Sequence, residues 1–278
     1  MRKISGLFLL TRPVNVLIGI LSIFIGALIT GTIQPLGQIL LACLSGGLIA
    51  GAANAINDVF DLEIDRINRP DRPLPSGKVS PDSARIFALA LFGSGIFLGA
   101  LVNLPAFLIA SFSALLLYFY SARLKGTVLW GNLSVSLVTA LAFIYGGVAV
   151  NRFYESLIPA GFSFLFHLGR EIIKDTQDVA GDAAQHAVTL PIKMGAKFAL
   201  QIATGIFLFL IGLTLLPYFF KIYGIYYLLM VTIGVDFVIV GVLLSVWRNP
   251  APKNLGRMSN LLKADMLVGL VAIFLGKV

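Results

Sequence analysis

Charge is scarce in this sequence. Only 12% of its 278 residues are Asp, Glu, Lys or Arg, against 58% that are hydrophobic. A soluble domain usually carries about 25% charged residues, so a sizeable water-soluble domain is excluded. Cysteine is nearly missing. Cys43 stands alone inside an apolar run, which rules out an intramolecular disulfide and leaves the redox compartment unread. It reads as a small packed side chain. The short alternating segments of a membrane barrel are also lacking. The apolar runs are instead long and unbroken, as from Val14 to Gly31, and lipid admits only helices or closed barrels. The expected class is therefore an all-α polytopic membrane protein.

A spanning helix needs about 20 apolar residues. Nine such stretches fall at approximately 14–32, 38–57, 83–103, 105–121, 128–150, 156–174, 196–216, 223–246 and 259–277. Gly131, Asn132, Ser134 and Ser136 dilute the fifth, and Lys263 and Asp265 the ninth. Met1-Arg2-Lys3 gives a basic start, but no small-residue cleavage site follows, so the run behind it reads as a retained helix. With the N-terminus and the even-numbered connections on one side, every Lys and Arg except Arg152, Lys221 and Lys277 lies on that side. The positive-inside rule makes it cytoplasmic. The net charge of +8 is then topology plus attraction to anionic membrane lipid, and nucleic acid is a poor partner for it.

Two connections on that face are long and polar, at about 58–82 and 175–195, and loops beside a rigid scaffold carry function. Each opens with aspartates at i, i+3 and i+7: Asp58, Asp61 and Asp65, then Asp175, Asp178 and Asp182. The clusters are close to half the chain apart, which hints at an internal duplication. On a helix this spacing gathers three carboxylates within roughly 60° around the axis, where like charges repel. Near a membrane such a stripe is costly unless a cation neutralises it. One cluster alone reads as solvated loop charge; two with one spacing, both at cytoplasmic helix ends, read as a site. Neither stripe contains His or Cys, which argues against zinc. Magnesium takes carboxylate oxygen and bridges to phosphates, so two facing stripes predict metal-assisted loss of diphosphate. Arg66, Arg69, Arg72, Lys78, Arg170 and Lys174 are interleaved with these acids as candidate phosphate clamps. Asp236 sits deep in the eighth stretch, where an acid is functional by default or pairs with a backbone or hydroxyl group on a neighbouring helix. His167 reads as a packed or cavity histidine, and His186 as a loop residue.

The run Asn54-x-x-Asn57-Asp58-x-x-Asp61-x-x-x-Asp65, continuing into Arg69-Pro70-Asp71-Arg72-Pro73-Leu74-Pro75-Ser76-Gly77, resembles the first signature of the UbiA prenyltransferase superfamily. Asp175-x-x-Asp178-x-x-x-Asp182, ending in Thr189-Leu190-Pro191, resembles the second, and Tyr120-Ser121-x-x-x-Lys125 a short basic motif after the fourth helix. The resemblance runs from Arg12-Pro13 to the ninth stretch. It implies one domain over 1–278, nine helices around a central cavity, magnesium held by the six aspartates, and a prenyl diphosphate donor. Asn54 and Asn57 would orient the first stripe or bind phosphate. Lys125, with Arg66 or Lys174, would contact the diphosphate, and Arg12 the acceptor. Phe60, Tyr118, Tyr120 and Phe143 are candidates to face an allylic cation.

Asp65-Arg66-Ile67-Asn68-Arg69-Pro70-Asp71-Arg72-Pro73 and Arg170-Glu171-Ile172-Ile173-Lys174-Asp175 resemble the archaeal ether-lipid branch. That branch implies geranylgeranyl diphosphate as donor and geranylgeranylglyceryl phosphate as a lipid-like acceptor. Chlorophyll synthases share much of the first motif, which keeps an aromatic acceptor as the alternative. Gln177 and the neutral tail Ala183-Ala184-Gln185-His186 depart from the pattern and bear on the acceptor. A transporter, the rival of another class, would place its acids near mid-bilayer. Oligomeric state is not written in the sequence.

Overall fold

The computed structural model describes residues 2–184 and 186–276, with the side chains of Arg2, Lys3 and Asn68 excepted. Gln185 and Lys277, named above, lie outside the described residues. Every regular element among the described residues is helical. The first seven are α1 (Arg2–Leu10), α2 (Pro13–Leu28), α3 (Leu36–Phe60), α4 (Leu62–Asn68), α5 (Pro81–Val102), α6 (Leu104–Phe119) and α7 (Trp130–Ala149). They are followed by α8 (Leu157–Ala184), α9 (Leu190–Met194), α10 (Ala196–Phe219), α11 (Ile225–Met230), α12 (Phe237–Arg248) and α13 (Pro252–Leu275). Two π-helical turns, Tyr120–Leu124 and Val231–Asp236, extend α6 and join α11 to α12.

Local chemistry fixes many of these starts. Proline opens α2, α5, α6, α9 and α13 within the first turn, where its missing N–H costs nothing. Ser80 and Asn103 cap α5 and α6 by accepting from Ser83 N (3.3 Å) and Ala106 N (2.8 Å). Seven helical stretches are long and apolar enough to cross a membrane, or eight if α1 and α2, bent by 52°, form one span. Each expected stretch has its helix. The largest boundary shifts are α13, which starts seven residues early, and α8, which runs on through Ala184. α8 is not among the seven, because Arg170, Glu171 and Lys174 already interrupt its apolar run before the second acidic cluster begins. Many large apolar side chains stand exposed, Phe8, Phe97, Leu104, Phe209 and Phe237 among them. That surface suits lipid rather than water.

The chain divides into two compact units, residues 1–123 with 141–156, and residues 124–140 with 157–278. In the first, α3 packs chiefly against α5 and α2, through a core rich in alanine: Ala27, Ala42, Ala52, Ala55, Ala84 and Ala106 are fully buried. Small residues allow close approach. A Cβ on Gly26 or Gly146 would strike the backbone of Phe143 or Ile23. The Ser45 hydroxyl donates to Gly95 O or bonds the Tyr145 hydroxyl, each at 2.7 Å. In the second unit α8 packs against α10 and α13, and the core is bulkier. Phe166 and Phe207 meet edge to face at 5.8 Å, and a Cβ on Gly169 would come within 2.7 Å of the Phe207 ring.

Candidate active site

The first acidic segment is not one continuous helix. α3 stops at Phe60, Asp61 turns out of helical geometry at φ −87°, ψ 4°, and α4 resumes at Leu62. The bonds Asp61 N to Asn57 O and Asp65 N to Asp61 O, both 2.9 Å, carry the ladder across the break. Asp58 and Asp65 therefore come from two helices, and both are buried.

Two arginines meet them. Arg12 forms the corner between α1 and α2 with a left-handed backbone, φ 51°, a conformation uncommon for a residue with a side chain. Asn54 holds that corner by donating to Thr11 O at 2.8 Å. Arg12 donates to Asp58 Oδ1. Arg72 Nη1 reaches the same oxygen at 3.2 Å and Asp65 Oδ2 at 2.5 Å. It gets there because the stretch after α4 folds back: Val79 N donates to Pro73 O at 3.1 Å, Gly77 takes φ 72°, and Leu74 and Val79 are buried. Sequence reasoning left Arg72 as one of several interleaved cations. The signal was there in its fixed distance behind Asp65 within a Pro-rich turn, but the fold-back is tertiary. Asn57 Nδ2 donates to Asp61 Oδ2 at 2.8 Å, while its own Oδ1 is buried with no hydrogen-bond partner.

The second segment, expected as a connection, is the last third of α8, so Asp175, Asp178 and Asp182 do share one helical stripe. Asn132, buried on α7, donates to Asp175 Oδ2 at 2.7 Å. Lys174 lies 3.9 Å from Asp178 and 4.0 Å from Glu171. Arg170 donates to Glu171 at 2.6 Å and, through Nε, to Ser259 O on α13 at 3.1 Å. Glu171, buried between two cations, is a site member the sequence reading did not single out. Val188 N donates to Gly126 O at 2.8 Å, which pins the Lys125 corner to the chain just past this cluster. Tyr120 sits on the π turn before that corner.

Other expected residues go elsewhere. Arg66 pairs with Glu63 at 2.9 Å on an exposed surface. Phe143 is buried core in the first unit, while Phe60 and Tyr118 meet edge to face at 5.8 Å and stay part-exposed. Asp236 has the hydroxyl partner foreseen for it, Thr214 on α10.

Among the described residues no three or more carboxylate, His or Cys side chains gather closely enough to hold a metal by themselves. The donors nonetheless suit a hard cation. They are all oxygen, the Asn57 Oδ1 is an acceptor with nothing to accept, and magnesium usually takes only one or two carboxylates and completes its shell with water and phosphate.

Residues 19–261 match the UbiA prenyltransferase family. The chain belongs to that family. It is similar to the digeranylgeranylglyceryl phosphate synthase of Methanopyrus kandleri, with 40% identity over 95% of this chain and 96% of the relative. A solved structure from work on digeranylgeranylglyceryl phosphate synthase in membranes superposes with a TM-score of 0.82 at 34% identity, covering 100% of this chain and 99% of that one. A UbiA homologue from Archaeoglobus fulgidus, bound to GPP and Mg2+, shares the fold at TM-score 0.72 and 19% identity, over 96% of this chain and 99% of that one. The family and the apolar helices make this a multi-pass membrane protein.

Proposed function

We propose that this membrane prenyltransferase moves a geranylgeranyl group from geranylgeranyl diphosphate to the hydroxyl of geranylgeranylglyceryl phosphate, releasing diphosphate. The observation that carries the reading is full-length similarity, 40% over 95% of the chain, to a digeranylgeranylglyceryl phosphate synthase. The acid-and-arginine chemistry supports it.

Magnesium, when bound, supplies a Lewis acid that makes diphosphate a better leaving group. Asp58, Asp61, Asp65, Asp175, Asp178 and Asp182 are its proposed ligands, directly or through water, with Asn57 Oδ1 able to add a neutral oxygen. Arg12 and Arg72 hold Asp58 and Asp65 in place. Because Arg12 is engaged by Asp58, orienting that carboxylate is its proposed role in place of seizing the acceptor phosphate. Asn54 holds the Arg12 corner. Lys174, Arg170 and Lys125 are the proposed phosphate contacts of the second unit, and Tyr120, on the first, is proposed as a further substrate contact. Arg66, turned to Glu63, is left to electrostatic attraction at the surface. The bond from C1 to diphosphate breaks with its electron pair leaving on oxygen, and the acceptor oxygen bonds C1. The freed diphosphate is itself a base for the hydroxyl proton.

The proposed topology has nine spans, α8 supplying the ninth, with the N-terminus and both acidic segments cytoplasmic by the positive-inside rule. Both units would serve one prenyltransferase domain in the cell membrane.

The test is purified chain in lipid, given geranylgeranyl diphosphate with either geranylgeranylglyceryl phosphate or 4-hydroxybenzoate. The expected result is ether product and diphosphate with the first acceptor only, stopped by EDTA and restored by magnesium. Product with 4-hydroxybenzoate alone would move the reading to an aromatic acceptor. No diphosphate release under any condition would sink the transfer chemistry and favour a transporter.

A further inference from the structure

The second unit carries a strip of positive charge outside the acidic stripe of α8. Lys193 lies on α9, Lys197 on the first turn of α10, Arg248 at the end of α12, and Lys253 and Arg257 at the start of α13. All five are exposed. No Asp or Glu occurs from 183 to 235 or from 237 to 264, so their own segments offer them no acid. Among the described residues, the ion pairs of this unit join Arg170 and Lys174 to Glu171 and Lys174 to Asp178, and use none of the five. On the first unit, by contrast, Arg66 has Glu63 at 2.9 Å and Arg85 has Asp82 at 3.9 Å. The positive-inside rule accounts for the sign of the strip, but not for its lack of compensation.

Two sets of hydrogen bonds gather these cations at one end of the unit. Trp247 Nε1 donates to Thr204 Oγ1 at 3.0 Å, joining α12 to α10. Thr204 lies seven residues past Lys197, on the same helical face and about 10 Å along it. Asn254 Nδ2 donates to Asn249 O at 2.7 Å and to Ser245 O at 3.2 Å, fastening the start of α13 to the end of α12. The surface next to the charges is apolar. Leu244, Trp247 and Arg248 share one face of α12, and Lys197 and Leu208 one face of α10; Leu244, Trp247 and Leu208 are all exposed. Trp247 is thus pinned by its polar edge while its ring stays open, the habit of tryptophan at a membrane–water boundary.

We propose that the α10–α12 edge, with Lys197 and Arg248 at its rim and Trp247 in its wall, docks the headgroup of an anionic phospholipid from the surrounding bilayer. Charge complementarity selects the headgroup, because uncompensated Lys and Arg at a membrane surface attract anionic lipid. The apolar wall beside the charges receives the acyl chains. Lys193, Lys253 and Arg257 extend the positive field around the same end. The proposal does not rest on the transfer reaction.

The test uses Trp247 as its own reporter. The chain has two tryptophans, so Trp130→Phe leaves Trp247 alone. That full-length variant is placed in phosphatidylcholine vesicles containing increasing fractions of phosphatidylglycerol or phosphatidylcholine brominated on the acyl chains, since bromine quenches tryptophan on contact. Half-maximal quenching is expected at about a tenfold lower fraction of the brominated anionic lipid, as two surface cations warrant. Lys197→Gln and Arg248→Gln should each weaken the anionic preference about fivefold, and together remove it. Lys221→Gln, an exposed cation just past the far end of α10, should leave it intact. Should Trp130→Phe not fold, the difference between the native chain and Trp247→Phe gives the same signal. Equal quenching by the two lipids, or a preference that survives the double variant, would overturn the site. Loss of the preference on adding inorganic phosphate at constant ionic strength would assign the cations to soluble phosphate and overturn lipid docking.

Discussion

The two acidic segments have one spacing and opposite neighbourhoods. In the first unit, Asp58 and Asp65 are buried and locked by arginines from other segments, Arg12 from the α1–α2 corner and Arg72 from the fold-back. In the second, a neutral amide, Asn132, meets Asp175, and a lysine on the same helix, Lys174, meets Asp178. Guanidinium is a fixed planar fork that is always charged, whereas an ammonium is a mobile point charge. The first segment is thus a preorganised fixture and the second an adaptable one. Burial agrees: the Asp58 side chain is 5% exposed and that of Asp178 40%. Identical spacing of carboxylates therefore fixes the chemistry on offer but not how tightly it is held.

The sharpest way to break this comparison is to remove one carboxylate from each segment. Asp61→Ala and Asp178→Ala should each lower turnover by about 10²–10³-fold, the scale for losing a preorganised charge-stabilising group, while the protein stays inserted in the membrane. Diphosphate release from purified variants measures it. Normal turnover in either would remove that segment from the site. Next comes Arg72→Ala, which leaves Asp65 buried without its arginine and Asp58 with Arg12 alone. Breaking a buried pair costs about 3–5 kcal/mol, and the partial exposure of Arg72 places this one at the lower end. A chemical or thermal unfolding curve reads it directly. Arg72→Lys should recover only part of the loss, because both contacts come from one nitrogen, Nη1, which the planar guanidinium holds in place and a mobile ammonium does not. Full recovery would mean that charge alone matters there. Asn132→Ala leaves the buried Asp175 carboxyl without its donor, which should cost about 1–3 kcal/mol, and should impair turnover through Asp175.

Much of this was written in the sequence, for physical reasons that can be named. The helices were legible because apolar length is set by bilayer thickness; α5 and α10 begin within two residues of where their runs begin. The carboxylates were legible because i, i+3, i+7 is a helical stripe. What the sequence hid was tertiary. Nothing local announces that Arg72 returns to Asp65, because that depends on Leu74 and Val79 burying beneath the turn. The break at Asp61 is a matter of one residue's backbone. Asp265 was visible only as a residue diluting a span; its burial without a partner needed the neighbouring helices. Arg12 was expected to face substrate, and its strained corner instead delivers it to Asp58.

The smallest expected effect is also the most telling about the second segment. Lys174 sits 3.9 Å from Asp178 and 4.0 Å from Glu171, with its own side chain 37% exposed. At that exposure an ion pair is screened and contributes about 0–1 kcal/mol, so Lys174→Ala should hardly move the unfolding midpoint. Arg170 stays on Glu171 in that variant, so no buried acid is orphaned. If Lys174 binds diphosphate, however, KM for the prenyl donor should rise several-fold and the salt dependence of KM should weaken, since an exposed charge acts through screened attraction. A stability loss as large as that of Arg72→Ala, with KM unchanged, would make Lys174 a structural clamp like its counterpart in the first unit. The contrast between a locked segment and an adaptable one would then fail.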